Sequence, residues 1–293
     1  MRKQLVKTIE RLMRQNDRIV VLLGDIGVFG FRHVFQQHPS RIFNIGICEQ
    51  AMTGVAAGLA KEGLIPVIHS IAPFVVERCL EQIKIDIGCQ RLGVKIVSVG
   101  ASYDYAALGP THHCPGDVMA LSTVPQLEIF VPGSPEEFDR LFGATWDNGK
   151  AAYFRLSEQS NPQHYPVEHG RALLVRSGRS ATVIAVGPVL PEVLAAVDQL
   201  DVAVLYYTTI QPFDRATLAE TCANGKLLVV EPFYEGTLAF DVQRALEGRW
   251  SRVVSLGIPR RFISHYGKAR EHDVACGLTS ASIRARLETL IHE

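Results

Sequence analysis

Short continuous apolar runs alternate with segments of helical periodicity along almost the whole chain. In the first such pair, apolar residues recur at helical spacing over positions 5–13 and are followed by the run Ile19–Leu23. That run lies between Asn16-Asp17 and Gly24-Asp25, which are typical of turns. Strands that are apolar on both faces occur in parallel sheets covered by helices on both sides. The alternation therefore predicts an α/β fold.

The alternation continues in two successive units. In the first we predict further strands at 41–45, 65–68, 94–99, 127–131 and 151–156, and helices at 49–62, 74–88 and after Ser134. In the second we predict strands at 180–186, 202–207, 226–230 and 253–258, and helices at 192–200, 215–223 and 238–246. The polar segment 157–166 contains two prolines and is typical of a connection between domains. We expect two doubly wound α/β domains, at 1–160 and 176–293, joined by a linker at 161–175.

The composition argues against several classes of protein. Thirty Lys and Arg balance thirty Asp and Glu among 293 residues, and no long basic run suggests nucleic-acid binding. No apolar stretch reaches the ~18 residues of a membrane-spanning helix, and charged residues recur where a signal peptide would be apolar. The six cysteines have no Cys-x-x-Cys spacing, so we expect neither a disulfide framework nor a zinc site. These features predict a cytoplasmic protein without nucleic-acid or membrane partners.

Glu49 is the first candidate for chemistry. Loops that follow the strands of a parallel sheet meet at one edge, where ligands bind, and Glu49 lies in such a loop. It stands between the apolar pair Ile47-Cys48 and a run of small residues that predicts a helix. Burial there would favour a protonated or strongly hydrogen-bonding carboxyl group. The alternative is a first-turn glutamate that only stabilises the helix dipole.

Two other loops carry polar residues behind predicted strands. His112-His113 follows Gly109-Pro110-Thr111 and fits a substrate-contacting pair, a metal pair or ordinary loop histidines. Because adjacent side chains of an extended segment point in opposite directions, joint ligation of one metal is disfavoured. The segment 24–27 suggests a phosphate-binding loop, but it matches neither the Gly-x-Gly-x-x-Gly nor the Gly-Lys-Ser/Thr pattern. Neither loop identifies a function by itself.

Three segments taken together resemble the carboxyl-terminal half of transketolases. They are 39–60, which contains Gly-Ile-Cys-Glu49-Gln, then 71–84, which contains Ala-Pro-Phe74, and Gly109-Pro-Thr-His-His113. They occur in the family's order and spacing, and the segment 229–236 resembles the family's C-terminal domain. The resemblance covers nearly the whole chain. It implies a pyrimidine-binding domain followed by a transketolase C-terminal domain.

The resemblance implies thiamine diphosphate as the cofactor. In this superfamily a glutamate at the position of Glu49 hydrogen-bonds a ring nitrogen of the aminopyrimidine, which favours the tautomer that removes the thiazolium proton. The same resemblance makes Phe74 the candidate for stacking on the pyrimidine and places Asp25 near the cofactor. It makes His112 a catalytic residue that contacts the hydroxyls of a ketose, with His113 as a further substrate contact.

The family's diphosphate site is missing from this sequence. Transketolases bind the diphosphate through Mg²⁺ in an amino-terminal domain, with a Gly-Asp-Gly followed by an Asn. Neither Gly24-Asp25 nor Gly116-Asp117 continues with that pattern. We therefore expect a separately encoded subunit of the amino-terminal type that binds the diphosphate and the Mg²⁺ (or Ca²⁺). Because the cofactor would lie between subunits, we expect an obligate assembly with two copies of each subunit.

The positions that hold the acceptor phosphate in sugar-phosphate transketolases also differ. They correspond to Phe29, Gly100 and Glu158, and Leu108 replaces an acidic residue that contacts an acceptor hydroxyl. A glutamate in place of an arginine repels a phosphate. We expect transfer of a two-carbon ketol unit between sugars, with an atypical acceptor or donor that is unphosphorylated, differently phosphorylated or nucleotide-linked. The rivals are a beta-type subunit of a 2-oxo-acid dehydrogenase, a split deoxyxylulose-phosphate synthase and a non-catalytic regulatory partner.

Overall fold

The computed structural model describes residues 1–222 and 224–292, which form two β-sheets flanked by helices. The strands are β1 (Ile19–Leu23), β2 (Ile42–Asn44), β3 (Ile65–Ile71), β4 (Lys95–Val99), β5 (Glu128–Phe130), β6 (Ala152–Arg155), β7 (Leu173–Arg176), β8 (Ala181–Val186), β9 (Val202–Tyr207), β10 (Thr209–Gln211), β11 (Lys226–Tyr234) and β12 (Arg252–Ile258). The helices are α1 (Arg2–Gln15), α2 (Arg32–Gln37), α3 (Glu49–Lys61), α4 (Leu80–Gln82), α5 (Asp117–Leu121), α6 (Pro135–Thr145), α7 (Leu190–Ala196), α8 (Arg215–Thr221), α9 (Ala239–Ala245), α10 (Ala269–Cys276) and α11 (Ser280–His292). The predicted α/β fold with two doubly wound sheets is confirmed.

The first sheet has seven strands in the order β10-β5-β6-β4-β3-β1-β2. From β5 to β2 every neighbouring pair is parallel. All residues of β1, β3 and β4 are buried, because helices cover both faces of the sheet. Val21 packs in one cluster with Leu5 of α1, whereas the next residue, Leu22, packs in another with Met52 of α3. This two-sided burial accounts for the continuous apolar runs in the sequence.

The second sheet has five strands in the order β12-β11-β8-β9-β7, and the first four are parallel. Two edge strands depart from the parallel arrangement that the alternation predicts. β7 pairs antiparallel with β9. β10 leaves the second unit and pairs antiparallel with β5, with Thr209 opposite Phe130, so it closes the edge of the first sheet. Both strands are too short to give an apolar run in the sequence.

The helix predicted at 74–88 is present, but it is interrupted by a turn at 78–79 and most of it is π-helical rather than α-helical. Two π-helical turns, Pro73–Glu77 and Ile83–Cys89, lie on either side of α4. The Arg78 N–H donates to the carbonyl of Pro73, five residues earlier, at 3.1 Å, and the Cys79 thiol donates to the Phe74 carbonyl at 3.2 Å. These two bonds replace the α-helical bond between Arg78 and Phe74. π-Helical turns are frequent at functional sites. The first of the two, Pro73–Glu77, closely follows the end of β3.

The remaining predicted helices are present, with shifted ends. α3 ends one residue before the predicted limit at 62, and α7 covers 190–196 instead of 192–200. The helix predicted at 215–223 is α8, which ends at Thr221, and Ala223 lies outside the described residues. α6 begins after Ser134, whose hydroxyl accepts the Glu137 N–H at 3.2 Å. In the described part of the chain, no helix has both the length and the apolar character needed to span a membrane.

Candidate functional site

Polar residues from several loops meet at the edge of the first sheet where β1, β2 and β4 end. Asp25 follows β1, Asn44 ends β2, and the loop that carries His112 follows β4. The Asp25 N–H donates to the side-chain oxygen of Asn44 at 3.0 Å, and the Asn44 amide donates to the Asp25 carboxylate at 2.9 Å. The backbone of Asp25 is left-handed (φ 58°), which aspartate tolerates. Asp25 therefore joins the first two loops while its side chain stays exposed.

Glu49 is the first residue of α3, and its exposure is only 1%. The Arg78 guanidinium donates to its Oε2 at 2.6 Å, and the Ser70 hydroxyl donates to its Oε1 at 3.3 Å. A Cβ added at Gly24 would lie 3.2 Å from Cγ of Glu49 and 3.1 Å from the Ser70 side chain. Glycine at this position lets the end of β1 approach the carboxyl group. Glu49 is thus buried and accepts two side-chain hydrogen bonds, one of them from a cation.

The Arg78 guanidinium also lies over the Phe74 ring, 4.4 Å from the ring centre. It therefore combines a charge-assisted hydrogen bond to Glu49 with a cation–π contact to Phe74. His112 meets the same ring edge-on, at a centroid distance of 5.3 Å. Glu49, Phe74 and His112 thus form one group that is connected through Arg78. Arg78 is not among the residues predicted from the sequence, although it follows Phe74 by four residues, a spacing that brings helical side chains together.

His113 lies apart from this group. Its ring faces Tyr103 and His272, at centroid distances of 6.5 and 5.5 Å, and it is 8% exposed. His272 in turn lies within 3.0 Å of His265, from Nδ1 to Nε2. Burial, followed by repulsion from the neighbouring His272, lowers the pKa of His113 below its usual value. Among residues 1–222 and 224–292, no group of three or more His, Cys, Asp or Glu side chains could hold a metal ion.

A buried ion pair fixes the loop that carries His112. Arg155, at the end of β6, donates to the Asp117 carboxylate at 2.7 Å, and the two side chains are 1% and 0% exposed. The same guanidinium donates to the Ser102 hydroxyl at 2.9 Å, and the Tyr153 hydroxyl donates to Asp117 at 2.7 Å. Because residues 102 and 117 flank the loop, the pair holds both of its ends. This anchor is not among the features predicted from the sequence, although an arginine at the end of an apolar strand is a signal for it.

The four positions expected from the sequence to depart from the family's substrate contacts lie in loops at the same edge. Phe29 is 78% exposed, and Leu108 is 49% exposed. The Glu158 N–H donates to the Asp104 carboxylate at 2.9 Å, and the Glu158 side chain is exposed. Gly100 has φ +75°, and a Cβ there would lie 2.4 Å from the Tyr105 ring. None of these side chains places a cation at the edge.

Two family models together match nearly the whole chain. Residues 1–163 match the pyrimidine-binding domain of transketolase, and residues 170–283 match the transketolase C-terminal domain. The chain belongs to the transketolase family. The resemblance inferred from three short segments is confirmed. The group formed by Glu49, Phe74 and His112 lies in the pyrimidine-binding domain of this transketolase-family chain, and His272 lies in its C-terminal domain.

Relatives of this transketolase-family chain include a protein of similar length and a longer enzyme. An uncharacterised 33.6 kDa protein in the fasciation locus of Rhodococcoides fascians is 37% identical over 97% of this chain and 92% of its own length. The 1-deoxy-D-xylulose-5-phosphate synthase of Thermotoga maritima is 30% identical over 97% of this chain, which spans 48% of that enzyme. A solved structure described as a split gene transketolase, inactive beta4 tetramer, has a TM-score of 0.87 and 26% identity, over 99% of this chain and 97% of the other.

Proposed function

We propose that this chain is the pyrimidine-binding subunit of a thiamine-diphosphate-dependent enzyme that transfers a two-carbon ketol unit between sugars. The observation that carries the proposal is the slot between Phe74 and Glu49. A flat group that stacks on the ring and donates an N–H to the carboxylate fits this slot, because the Arg78 guanidinium does so. The aminopyrimidine of thiamine diphosphate is also flat, and one of its ring nitrogens can carry the proton. The residues present therefore fit that part of the cofactor.

In the proposed role, Glu49 holds the pyrimidine through a ring nitrogen and Phe74 stacks on its face. Burial of Glu49 strengthens this hydrogen bond, because little water competes for the carboxyl oxygens. When bound, the cofactor supplies a nucleophilic carbon that takes up the two-carbon unit. His112, which lies edge-on to Phe74, orients the ketose hydroxyls, and Asp25 holds the neighbouring loop to β2. His113 is the weaker substrate candidate, since its ring faces Tyr103 and His272.

The proposed enzyme includes a separately encoded subunit that binds the diphosphate and Mg²⁺ (or Ca²⁺). Apolar side chains are exposed at and next to the edge that carries Glu49: Phe29 at 78%, Phe43 at 43% and Ile47 at 71%. Exposed apolar groups in one region are typical of an interaction surface. The similar solved protein is described as split and as inactive in its beta4 form, which supports dependence on a partner. We propose two copies of each subunit, a cytoplasmic location and the domain division at 1–160, 161–175 and 176–293.

The proposed substrates are sugars that are not recognised through the usual acceptor phosphate. Phe29, Gly100 and Glu158 offer no cation at the positions where sugar-phosphate transketolases bind that phosphate, and Leu108 offers no hydroxyl acceptor. Steady-state rates with xylulose 5-phosphate and ribose 5-phosphate test this part of the proposal. We expect poor kcat/KM for this pair and a higher value for an unphosphorylated, differently phosphorylated or nucleotide-linked sugar. Ordinary transketolase efficiency with the pair would reject it.

The cofactor assignment is tested by calorimetric titration of thiamine diphosphate with Mg²⁺. We expect tight binding to the mixture of this chain with the diphosphate-binding subunit encoded beside its gene, and no tight binding to this chain alone. Tight binding to the isolated chain would refute the division of the site between two subunits. Absence of binding in both cases would favour the non-catalytic regulatory role.

The role of Glu49 is tested by Glu49→Gln in the reconstituted complex. The substitution keeps the size of the side chain and removes the acid, so we expect turnover to fall by about 100-fold or more. Glu62→Gln is the matched control, since Glu62 is exposed just beyond the other end of α3. Unchanged turnover in Glu49→Gln would contradict the catalytic role of this carboxyl group.

The second candidate function is that of a split 1-deoxy-D-xylulose-5-phosphate synthase. It is favoured by the 30% identity to the Thermotoga maritima enzyme over 97% of this chain. The two reactions differ in their donor, because the synthase takes its two-carbon unit from pyruvate and releases the pyruvate carboxylate as CO₂, as do 2-oxo-acid dehydrogenases. CO₂ release from pyruvate by the reconstituted complex would select this class. Ketol transfer without CO₂ release would select the first.

A further inference from the structure

Arg78 fills the position between an aromatic ring and a carboxylate from within the same chain. Its guanidinium lies 4.4 Å from the centre of the Phe74 ring and 2.6 Å from Oε2 of Glu49. The Arg78 side chain is 38% exposed, whereas that of Glu49 is 1% exposed. Arg78 thus reaches from the solvent into the slot.

We propose that Arg78 is an internal ligand of this slot, which it fills in the free chain and leaves when the pyrimidine ring binds. The inference rests on the proposed function, which supplies the pyrimidine as the external ligand. The guanidinium touches the ring on one side and the carboxylate on the other. The slot therefore holds one flat group at a time, and Arg78 and the pyrimidine exclude each other.

The contacts at Glu49 explain why the free chain needs such a group. A carboxylate that is buried without a partner is strongly unfavourable. The Ser70 hydroxyl, at 3.3 Å, is a long hydrogen bond and brings no charge. An arginine supplies a charge-assisted hydrogen bond and a flat surface that stacks on an aromatic ring. The pyrimidine would replace both contacts, so the exchange leaves neither Glu49 nor Phe74 without a partner.

An internal ligand lowers the apparent affinity for the external one. The apparent Kd is the intrinsic Kd divided by the fraction of molecules in which the slot is open. If Arg78 fills the slot in nine molecules of ten, removal of its side chain strengthens cofactor binding about tenfold. A residue that instead stays beside the bound ring and supports it would give the opposite change on removal.

The test is a calorimetric titration of thiamine diphosphate with Mg²⁺ into the complex of this chain with its diphosphate-binding subunit. Arg78→Ala is expected to lower the Kd about tenfold relative to wild type. Arg78→Lys keeps a cation near Glu49 but loses the flat group, so its Kd is expected to lie between the two. Arg244→Ala is the matched control, because Arg244 pairs with Glu247 on the surface at 3.0 Å. Its Kd should equal that of wild type.

The outcomes separate this inference from the proposed function. Equal or weaker binding by Arg78→Ala, in a complex whose wild-type form binds the cofactor, overturns the role of Arg78 and leaves the proposed function standing. Absence of binding by the wild-type complex overturns the proposed function and, with it, the exchange of Arg78 for a pyrimidine.

The free chain gives a second readout that needs no cofactor. Arg78→Ala leaves the Glu49 carboxylate buried without its cation, so its unfolding temperature at pH 7 should lie below those of wild type and Arg244→Ala. An equal unfolding temperature in all three proteins would show that Arg78 does not compensate Glu49, and would overturn the inference.

Discussion

Asp117→Asn is expected to lower the free energy of unfolding of this chain by about 3 kcal/mol. The substitution keeps the shape of the side chain but removes the charge that faces Arg155, whose side chain is 1% exposed. Removal of one partner from a buried ion pair typically costs about 3–5 kcal/mol, because the other charge stays in the interior. The lower end applies here, since the asparagine oxygen can still accept the Tyr153 hydroxyl, which is 2.7 Å from Asp117.

The assay is urea unfolding at pH 7, analysed by linear extrapolation. Asp241→Asn is the matched control. Asp241 also pairs with an arginine at 2.7 Å, but its side chain and that of Arg215 are 31% and 47% exposed, so its loss should be below about 1 kcal/mol. The double variant Arg155→Met with Asp117→Asn removes the stranded charge and should recover part of the loss. Equal losses in Asp117→Asn and the control, or strictly additive losses in the double variant, would refute the reasoning.

Two further perturbations test the packing beneath the candidate site. His69 is buried and donates Nδ1–H to the Val97 carbonyl at 2.8 Å, and burial lowers its pKa to about 4. Because the unfolded chain takes up this proton near pH 6.5 and the folded chain only near pH 4, stability should fall by about 3 kcal/mol as the pH drops through that window. His69→Gln should flatten the profile of unfolding temperature against pH, and an equally steep profile would contradict this. Gly100→Ala should cost about 1–2 kcal/mol, because φ is +75° and the new Cβ meets the Tyr105 ring at 2.4 Å. It should also raise KM for the ketose in the complex, because Tyr105 packs edge-on against His112, and an unchanged KM would show that this contact does not position His112.

The central strands of both sheets are predictable from the sequence because local pattern and tertiary environment agree. β1 and β9 occupy the predicted positions residue for residue, since each is a continuous apolar run whose residues are all buried. The two antiparallel edge strands, β7 and β10, are not predictable in this way. β7 is only partly buried, and β10 has three residues and pairs with a strand about 80 positions earlier in the sequence. Their formation depends on a neighbouring strand edge that no local pattern shows.

The candidate site also contains features that follow from local sequence and features that depend on tertiary contacts. The position of Glu49 at a helix start is a local feature, but its burial is not, because the neighbouring Ile47 is 71% exposed and the carboxyl group is covered by Gly24 and Ser70 from other segments. Its bond to Arg78 joins residues 29 positions apart, and the bond between Arg155 and Asp117 joins residues 38 positions apart. These partners are set by how loops and strands meet at the sheet edge. In addition, the π-turn that directs Arg78 has no signature in an α-helical periodicity.

The division of the proposed site between two proteins constrains how they assemble. The slot between Phe74 and Glu49, which we propose binds the pyrimidine, lies on this chain, and the proposed diphosphate site lies on the partner, so the cofactor would bind across the interface. Linkage then requires that the partner increase the affinity of this chain for the cofactor by the same factor as the cofactor increases the affinity of the chain for the partner. In the proposed exchange, Arg78 competes with the cofactor for the slot and does not affect binding of the partner. Removal of Arg78 should therefore raise cofactor affinity without changing that factor, unless the partner itself also displaces Arg78. An unequal effect of Arg78→Ala on the free and the assembled chain would therefore locate the step at which the slot opens.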